Sequence, residues 1–216
     1  YTAYIYEKLK DFEKAEYNYN KVSNDHYLYF ESQKNIAINK VYQEKINEGE
    51  KNLLQLIKNN PTNEKLLLGL AEVYRLSKKY EKAISVYTDI LNQIEIDEDQ
   101  EWRIMYLRGI CYERLDKWIL AEKDLLKSLK INPDSPQVLN YLAYGWIDRD
   151  QFLDKSLVML EKAYSKSPDS HYILDSLAWA HFKKNNLQLA SKLMEDVLSM
   201  APGEAISIDH LGDIYF

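Results

Sequence analysis

Small residues recur through this chain at a near-fixed interval. Ala3, Ala37, Ala71, Gly109, Ala143, Ala178 and Gly212 form one series, spaced by 34, 34, 38, 34, 35 and 34 residues. A second series, Ala15, Gly49, Ala83, Ala121, Ser156 and Ala190, follows the first by 12 or 13 residues. A period of this length predicts one repeat array rather than one or two ordinary domains, with each unit contacting mainly its neighbours.

The residues between the small ones are periodic too. In the third unit Leu67, Leu70, Ala71 and Tyr74 follow the helical period, Ser77-Lys78-Lys79 interrupts it, and Tyr80, Ala83, Ile84, Tyr87, Ile90 and Leu91 resume it. Two short amphipathic helices joined by a turn make a helical hairpin. The later units repeat this plan. Pro61, Pro133, Pro168 and Pro202 each follow a second helix, where proline stops the hydrogen-bond ladder. Pro136 opens the first turn of its unit, where a missing N–H costs nothing. Small side chains at the crossing of the two helices let the backbones approach, and Leu at Ala121 or Ala190 is expected to overpack the contact.

These positions resemble the tetratricopeptide repeat, a helix–turn–helix unit of 34 residues. One unit carries the resemblance at Leu70, Ala71, Tyr74, Tyr80, Ala83 and Tyr87, the next at Gly109, Tyr112, Trp118, Ala121, Leu125 and Pro133. It covers nearly the whole chain and is weaker before Asn60, where Tyr6, Leu9, Phe12, Ala15 and Tyr19 still keep the spacing. Segments 106–115, 138–146, 172–179 and 208–215 are similar to proteobacterial tetratricopeptide proteins, many exported or lipid-anchored at the cell envelope. The resemblance implies an all-α, right-handed superhelical solenoid of about six repeats plus a terminal helix. The units fall at about 1–29, 30–63, 64–101, 102–135, 136–170 and 171–204, with a partial unit at 205–216, all in one array. The sequence begins and ends inside helix patterns, so it reads as a fragment. Its compartment is left open: the resemblance points to a bacterial periplasmic or envelope protein, with the cytoplasm as alternative.

Two departures stand out. The link after the third unit is four residues longer than standard and acidic (Glu95, Asp97, Glu98, Asp99, Glu101), which reads as a solvated linker that loosens or re-angles the stack. One extra residue before Ser156 is expected to lengthen that unit's inter-helix turn.

The exclusions are broad. A formal net charge of −6 argues against nucleic acid as the partner. The longest apolar run is too short for membrane insertion. No phosphate loop, dinucleotide fingerprint or Gly-x-Ser-x-Gly elbow is present. One cysteine, Cys111, leaves no intrachain disulfide and reads as a small buried hydrophobe. His26, His171, His181 and His210 are scattered without a metal-ligand pair. His181 occupies a slot usually filled by Tyr and reads as a core or groove residue. Asp209, His210 and Asp213 read as a solvated helix face. The expectation is a non-enzymatic chain without metal or cofactor.

The resemblance also tells which first-helix positions line a concave groove. The candidates are Tyr106, Glu113, Asn140, Tyr144, Asp175, Trp179, Phe182, Asp209 and Asp213. Aromatic anchors beside amides and carboxylates suit a peptide carrying Lys or Arg. For Trp179 and Phe182, display in the groove and packing against the next unit stand as equal alternatives. The family's chaperone-tail clamp does not carry over, because its basic positions are acidic or apolar here. The chain is therefore read as a scaffold that binds a protein or peptide of unknown identity. The alternatives are a docking domain of a larger enzyme, such as a glycosyltransferase, and self-association as an envelope assembly factor.

Overall fold

A computed structural model of the chain describes residues 1–93 and 95–216. Among them are thirteen helices and no strand. The helices are α1 (Thr2–Lys8), α2 (Phe12–Tyr19), α3 (Tyr29–Tyr42), α4 (Ile46–Asn59), α5 (Glu64–Leu76), α6 (Tyr80–Gln93) and α7 (Glu98–Glu113). They continue with α8 (Trp118–Ile131), α9 (Pro136–Ile147), α10 (Leu153–Lys166), α11 (His171–Lys183), α12 (Leu187–Met200) and α13 (Ala205–Tyr215). None is long and apolar enough to cross a membrane. The residues form two compact units, Tyr1–Ala121 and Glu122–Phe216, with the boundary inside α8.

In the first unit α1 packs on α2, α3 on α4 and α5 on α6; in the second α9 packs on α10 and α11 on α12. The small residues sit where these pairs cross. Ala15, Ala71, Ala83, Ala143, Ser156, Ala178 and Ala190 are completely buried there, as is Ala121 on α8. Gly49 shows why: a Cβ there would stand 2.7 Å from the carbonyl oxygen of Ala37. That neighbour is helix backbone and cannot rotate away. Gly212 differs. It is exposed, and an added Cβ would meet nothing within 4 Å, so the expected close helix contact does not form there.

Each hairpin turns on one residue with positive φ: Lys10, Glu44, Lys78, Asp116, Asp150 and Asn185. In each, the next amide bonds back to the carbonyl five residues earlier, as Lys79 N does to Tyr74 O at 2.8 Å, and this satisfies an orphaned helix carbonyl. The extra residue of the fifth hairpin lies in this turn. Phe152, also left-handed (φ 48°), precedes α10 and sets its ring edge-on to Trp146 at 5.1 Å.

The acidic run after α6 is not a linker. Asp97 caps α7 by accepting from Gln100 N, and Glu98, Asp99 and Glu101 form its first turn. Carboxylates at that end oppose the helix dipole favourably. The four-residue insertion therefore adds about one turn to the start of a helix. Accordingly α7 has 16 residues where α5 has 13.

A repeated tie joins successive hairpins. At four of the six places, the residue after a second-helix small residue bonds the residue three beyond the next first-helix small residue; Ile84 before Tyr112 and Leu157 before His181 offer no polar partner. Glu16 pairs with Lys40 at 2.9 Å. Glu50 accepts from the Tyr74 hydroxyl at 3.1 Å, Glu122 from Trp146 Nε1 at 2.6 Å, and Ser191 Oγ bonds the Tyr215 hydroxyl at 3.3 Å. At the equivalent place between α10 and α11 the residues are Leu157 and His181, and no such bond is available to His181. Its Nδ1 instead lies 3.4 Å from Asn186 Nδ2.

Gly49→Ala is expected to destabilise the chain by about 1–3 kcal/mol, and Ala190→Leu by a similar amount, both read as lowered denaturation midpoints. Unchanged midpoints in both would remove the close-crossing account.

Burial lowers the His181 pKa, with the Glu161 carboxylate opposing the shift and Lys184 adding to it. Folded His181 then holds its proton less well than unfolded His181, so stability falls as pH drops below about 6.5, the ordinary imidazole value. In His181→Phe this part of the acid-side fall in melting temperature should disappear. Equal fall in both proteins would show that His181 does not contribute.

Candidate functional site

Three first helices of the second unit carry most of the predicted groove residues. α9 contributes Asn140 and Tyr144, α11 contributes Asp175, Trp179 and Phe182, and α13 contributes Asp209 and Asp213. At the centre stands a residue absent from that set. His210 is buried, and its Nδ1 lies 3.1 and 3.3 Å from the two carboxylate oxygens of Asp175, which is also buried. A carboxylate accepts, so Nδ1 carries the hydrogen. The Trp179 indole stacks on the His210 ring, with centroids 4.2 Å apart and planes inclined by 15°. Phe182 lies 4.9 Å beyond Trp179, and Tyr144 lies 6.4 Å from His210 on the other side.

Phe182, Trp179, His210 and Tyr144 thus form an aromatic row with a carboxylate beneath its middle. Trp179 and Phe182 pack against the core of the next turn of the array and still keep part of their surface. His210 does not lie on a solvated face, because the Asp175 side chain and the Trp179 ring enclose it. The signal for the pair was present in the sequence: Asp175 and His210 are 35 residues apart, one repeat plus one position.

Asn140 is 9% exposed, and its Oδ1 is buried without a hydrogen-bond partner. Such an acceptor costs about 1–3 kcal/mol until it is satisfied. Asp209 and Asp213 are exposed on α13.

Tyr106 and Glu113 lie in the first unit on α7, both half-buried. That unit has its own groove cavity of about 200 Å3, reached by Lys34, Ile38, Leu68 and Glu72 from α3 and α5. From α7 it is lined by Gln100, Arg103, Ile104 and Leu107. Its charges are already matched: Arg75 grips Glu72 through two bonds of 2.9 and 2.6 Å, Lys34 pairs with Glu31, and Arg103 with Asp99. The Tyr87 hydroxyl also donates to Glu72, at 3.5 Å. Burial pushes the Cys111 thiol up to about 12. Among the described residues no group of three or more His, Cys, Asp or Glu side chains could hold a metal ion.

Regular helical hairpins, close small-residue crossings and a groove face of first helices define a helical-repeat protein. Residues 35–100 match the tetratricopeptide repeat family, which supports reading the chain as a protein of that repeat type. A TPR repeat-containing protein of Pseudomonas aeruginosa is 27% identical over 143 residues, covering 66% of this chain. The chain spans about a quarter of that relative's length (23%). Among solved structures, Pseudomonas aeruginosa pilF superposes with a TM-score of 0.76 at 12% identity, over 98% of this chain and 94% of that one. YrrB, described as a TPR protein with an unusual peptide-binding site, gives 0.59 at 14% identity, over 92% and 96% of the two chains. These likenesses share the fold.

Because the reactive form of a thiol is the thiolate, Cys111 is expected to resist alkylation in the native chain at neutral pH. It should react at once in denaturant. Rapid native labelling with iodoacetamide would contradict its burial.

Proposed function

We propose that the chain is a non-enzymatic interaction module whose second unit binds an extended, basic polypeptide segment along α9, α11 and α13. The observation that carries this reading is the Trp179–His210 stack above a buried carboxylate, beside the unpartnered Asn140 Oδ1. The partly open aromatic faces attract alkyl stems and cationic heads of Lys or Arg. Asp209 and Asp213 add negative charge at the accessible edge. Asn140 offers an acceptor to a backbone N–H. YrrB supports the reading as a protein of this fold with a peptide-binding site.

The test is fluorescence anisotropy with labelled peptides of equal length, one lysine- and arginine-rich and one glutamate-rich. The basic peptide should bind more tightly, and the preference should shrink with added salt. Trp179→Ala should weaken it by about tenfold, the effect of losing a modest anchor. Equal binding of both peptides, or an unchanged affinity in Trp179→Ala, would reject this assignment.

A further inference from the structure

A second cavity in the first unit has a chemistry opposite to that of the α9–α11–α13 face. It encloses about 600 Å3 and is walled by α1, the turn after it, the start of α2, and α3. Three aromatic rings line it: Tyr4, Phe12 and Tyr42. Phe12 and Tyr42 are already stacked, with centroids 5.3 Å apart and planes inclined by 12°. Tyr4 and Tyr42 are more than half exposed. The volume lies within the range of pockets that take a drug-sized group or a large side chain.

The polar groups of the wall fall into two sets. One is internally satisfied: Asn35 Nδ2 donates to the Tyr19 hydroxyl at 3.2 Å, and that hydroxyl donates to Glu7 at 3.0 Å. This chain occupies the one carboxylate lining the cavity and fixes the facing sides of α1 and α3. The other set is unspent. Asn39 is 2% exposed, yet its Nδ2 has no hydrogen-bond partner. Lys8 and Lys10 stand exposed at the rim, and Lys8 Nζ lies over the Tyr4 ring at 5.1 Å. An orphaned N–H donor and two cations call for an acceptor with negative charge. The rings call for a flat apolar group between them.

We propose that this cavity is a second binding site, taking an aromatic side chain flanked by acidic residues on a partner polypeptide. The aromatic ring enters beside Phe12 and Tyr42. The flanking carboxylates meet Lys8 and Lys10, and a backbone or side-chain oxygen accepts from Asn39. The site does not depend on the basic-peptide reading of the second unit, since no residue is common to the two.

The experiment uses the intact chain and a fluorescein-labelled peptide with a central phenylalanine between glutamates. Its comparators are the same peptide with alanine for phenylalanine, the same peptide with lysines for glutamates, and free 3-phenylpropionate as competitor. The acidic phenylalanine peptide should bind at least about tenfold more tightly than either altered peptide, roughly the value of one buried ring or one matched charge pair. Lys8→Glu with Lys10→Glu should cost about tenfold or more, and Tyr42→Ala a comparable factor, with circular dichroism confirming that both variants stay helical. Trp179→Ala should leave this peptide's affinity unchanged, which separates failure here from failure of the second-unit reading. Absence of binding, indifference to the charge reversal, or loss of binding in Trp179→Ala would overturn the proposal. Competition by 3-phenylpropionate at the peptide's own affinity would overturn a polypeptide as the occupant.

Discussion

The structure depends on how closely two helices of a hairpin can cross. At Gly49 the distance from a would-be Cβ to the Ala37 carbonyl is 2.7 Å, less than any real side chain tolerates. Ala15, Ala71, Ala83, Ala143, Ala178 and Ala190 at the other crossings are buried to zero. This contact fixes the pitch of each hairpin and leaves larger side chains to fill the gaps on either side, such as Tyr74 and Tyr87 in the first unit. Where the crossing is absent, at Gly212, the helix face is open. The turn then needs a left-handed residue, and the chain supplies Lys, Glu, Asp or Asn rather than glycine at every one. The strain of those positions is borne by the packing of the hairpin, since a non-glycine residue there is locally unfavourable.

Much of this was legible from spacing alone. Helix pairing and the proline-marked junctions follow from periodicity because they are local. The α6–α7 junction was misjudged because composition and geometry gave opposite signals. Five acids in seven residues look like a solvated linker, yet capping by Asp97 and a favourable dipole make the same residues a helix start. The added first turn of α7 places Gln100 and Arg103 at the first-unit cavity.

The site was half legible. Register places Asn140, Tyr144, Asp175, Trp179 and Phe182 on first helices, since position in a repeat determines the face a residue occupies. Whether a side chain is displayed or consumed depends on the next hairpin, which periodicity does not describe. Asp175 is consumed by His210, and Trp179 is shared between His210 and the groove. The tie that links hairpins was equally hidden. Glu50 with Tyr74 and Glu122 with Trp146 differ in chemistry while obeying one geometric rule. Ile84 before Tyr112 and Leu157 before His181 offer no polar partner, and at the second place the buried imidazole turns to Asn186 instead.

The same rule bears on binding. A repeat array that spends its polar groups on ties between neighbours has few left for a partner, so the unspent ones carry the information. In the first unit Glu72, Arg75, Lys34 and Glu31 close on one another. Among the groups left there, beside Gln43 Nε2, Glu64 Oε1 and Ser77 Oγ, is a donor, Asn39 Nδ2, that lines a cavity with aromatic rings and exposed lysines. In the second unit the groups left, beside the Ser156 and Ser170 hydroxyls, include an acceptor, Asn140 Oδ1, on the same set of first helices as the aromatic residues and the aspartates of the last helix. Buried amides of opposite demand, each next to rings and to charges of the matching sign, are consistent within each unit and opposed between them. A single peptide chemistry does not satisfy both, and the two proposed occupants are accordingly an acidic and a basic segment.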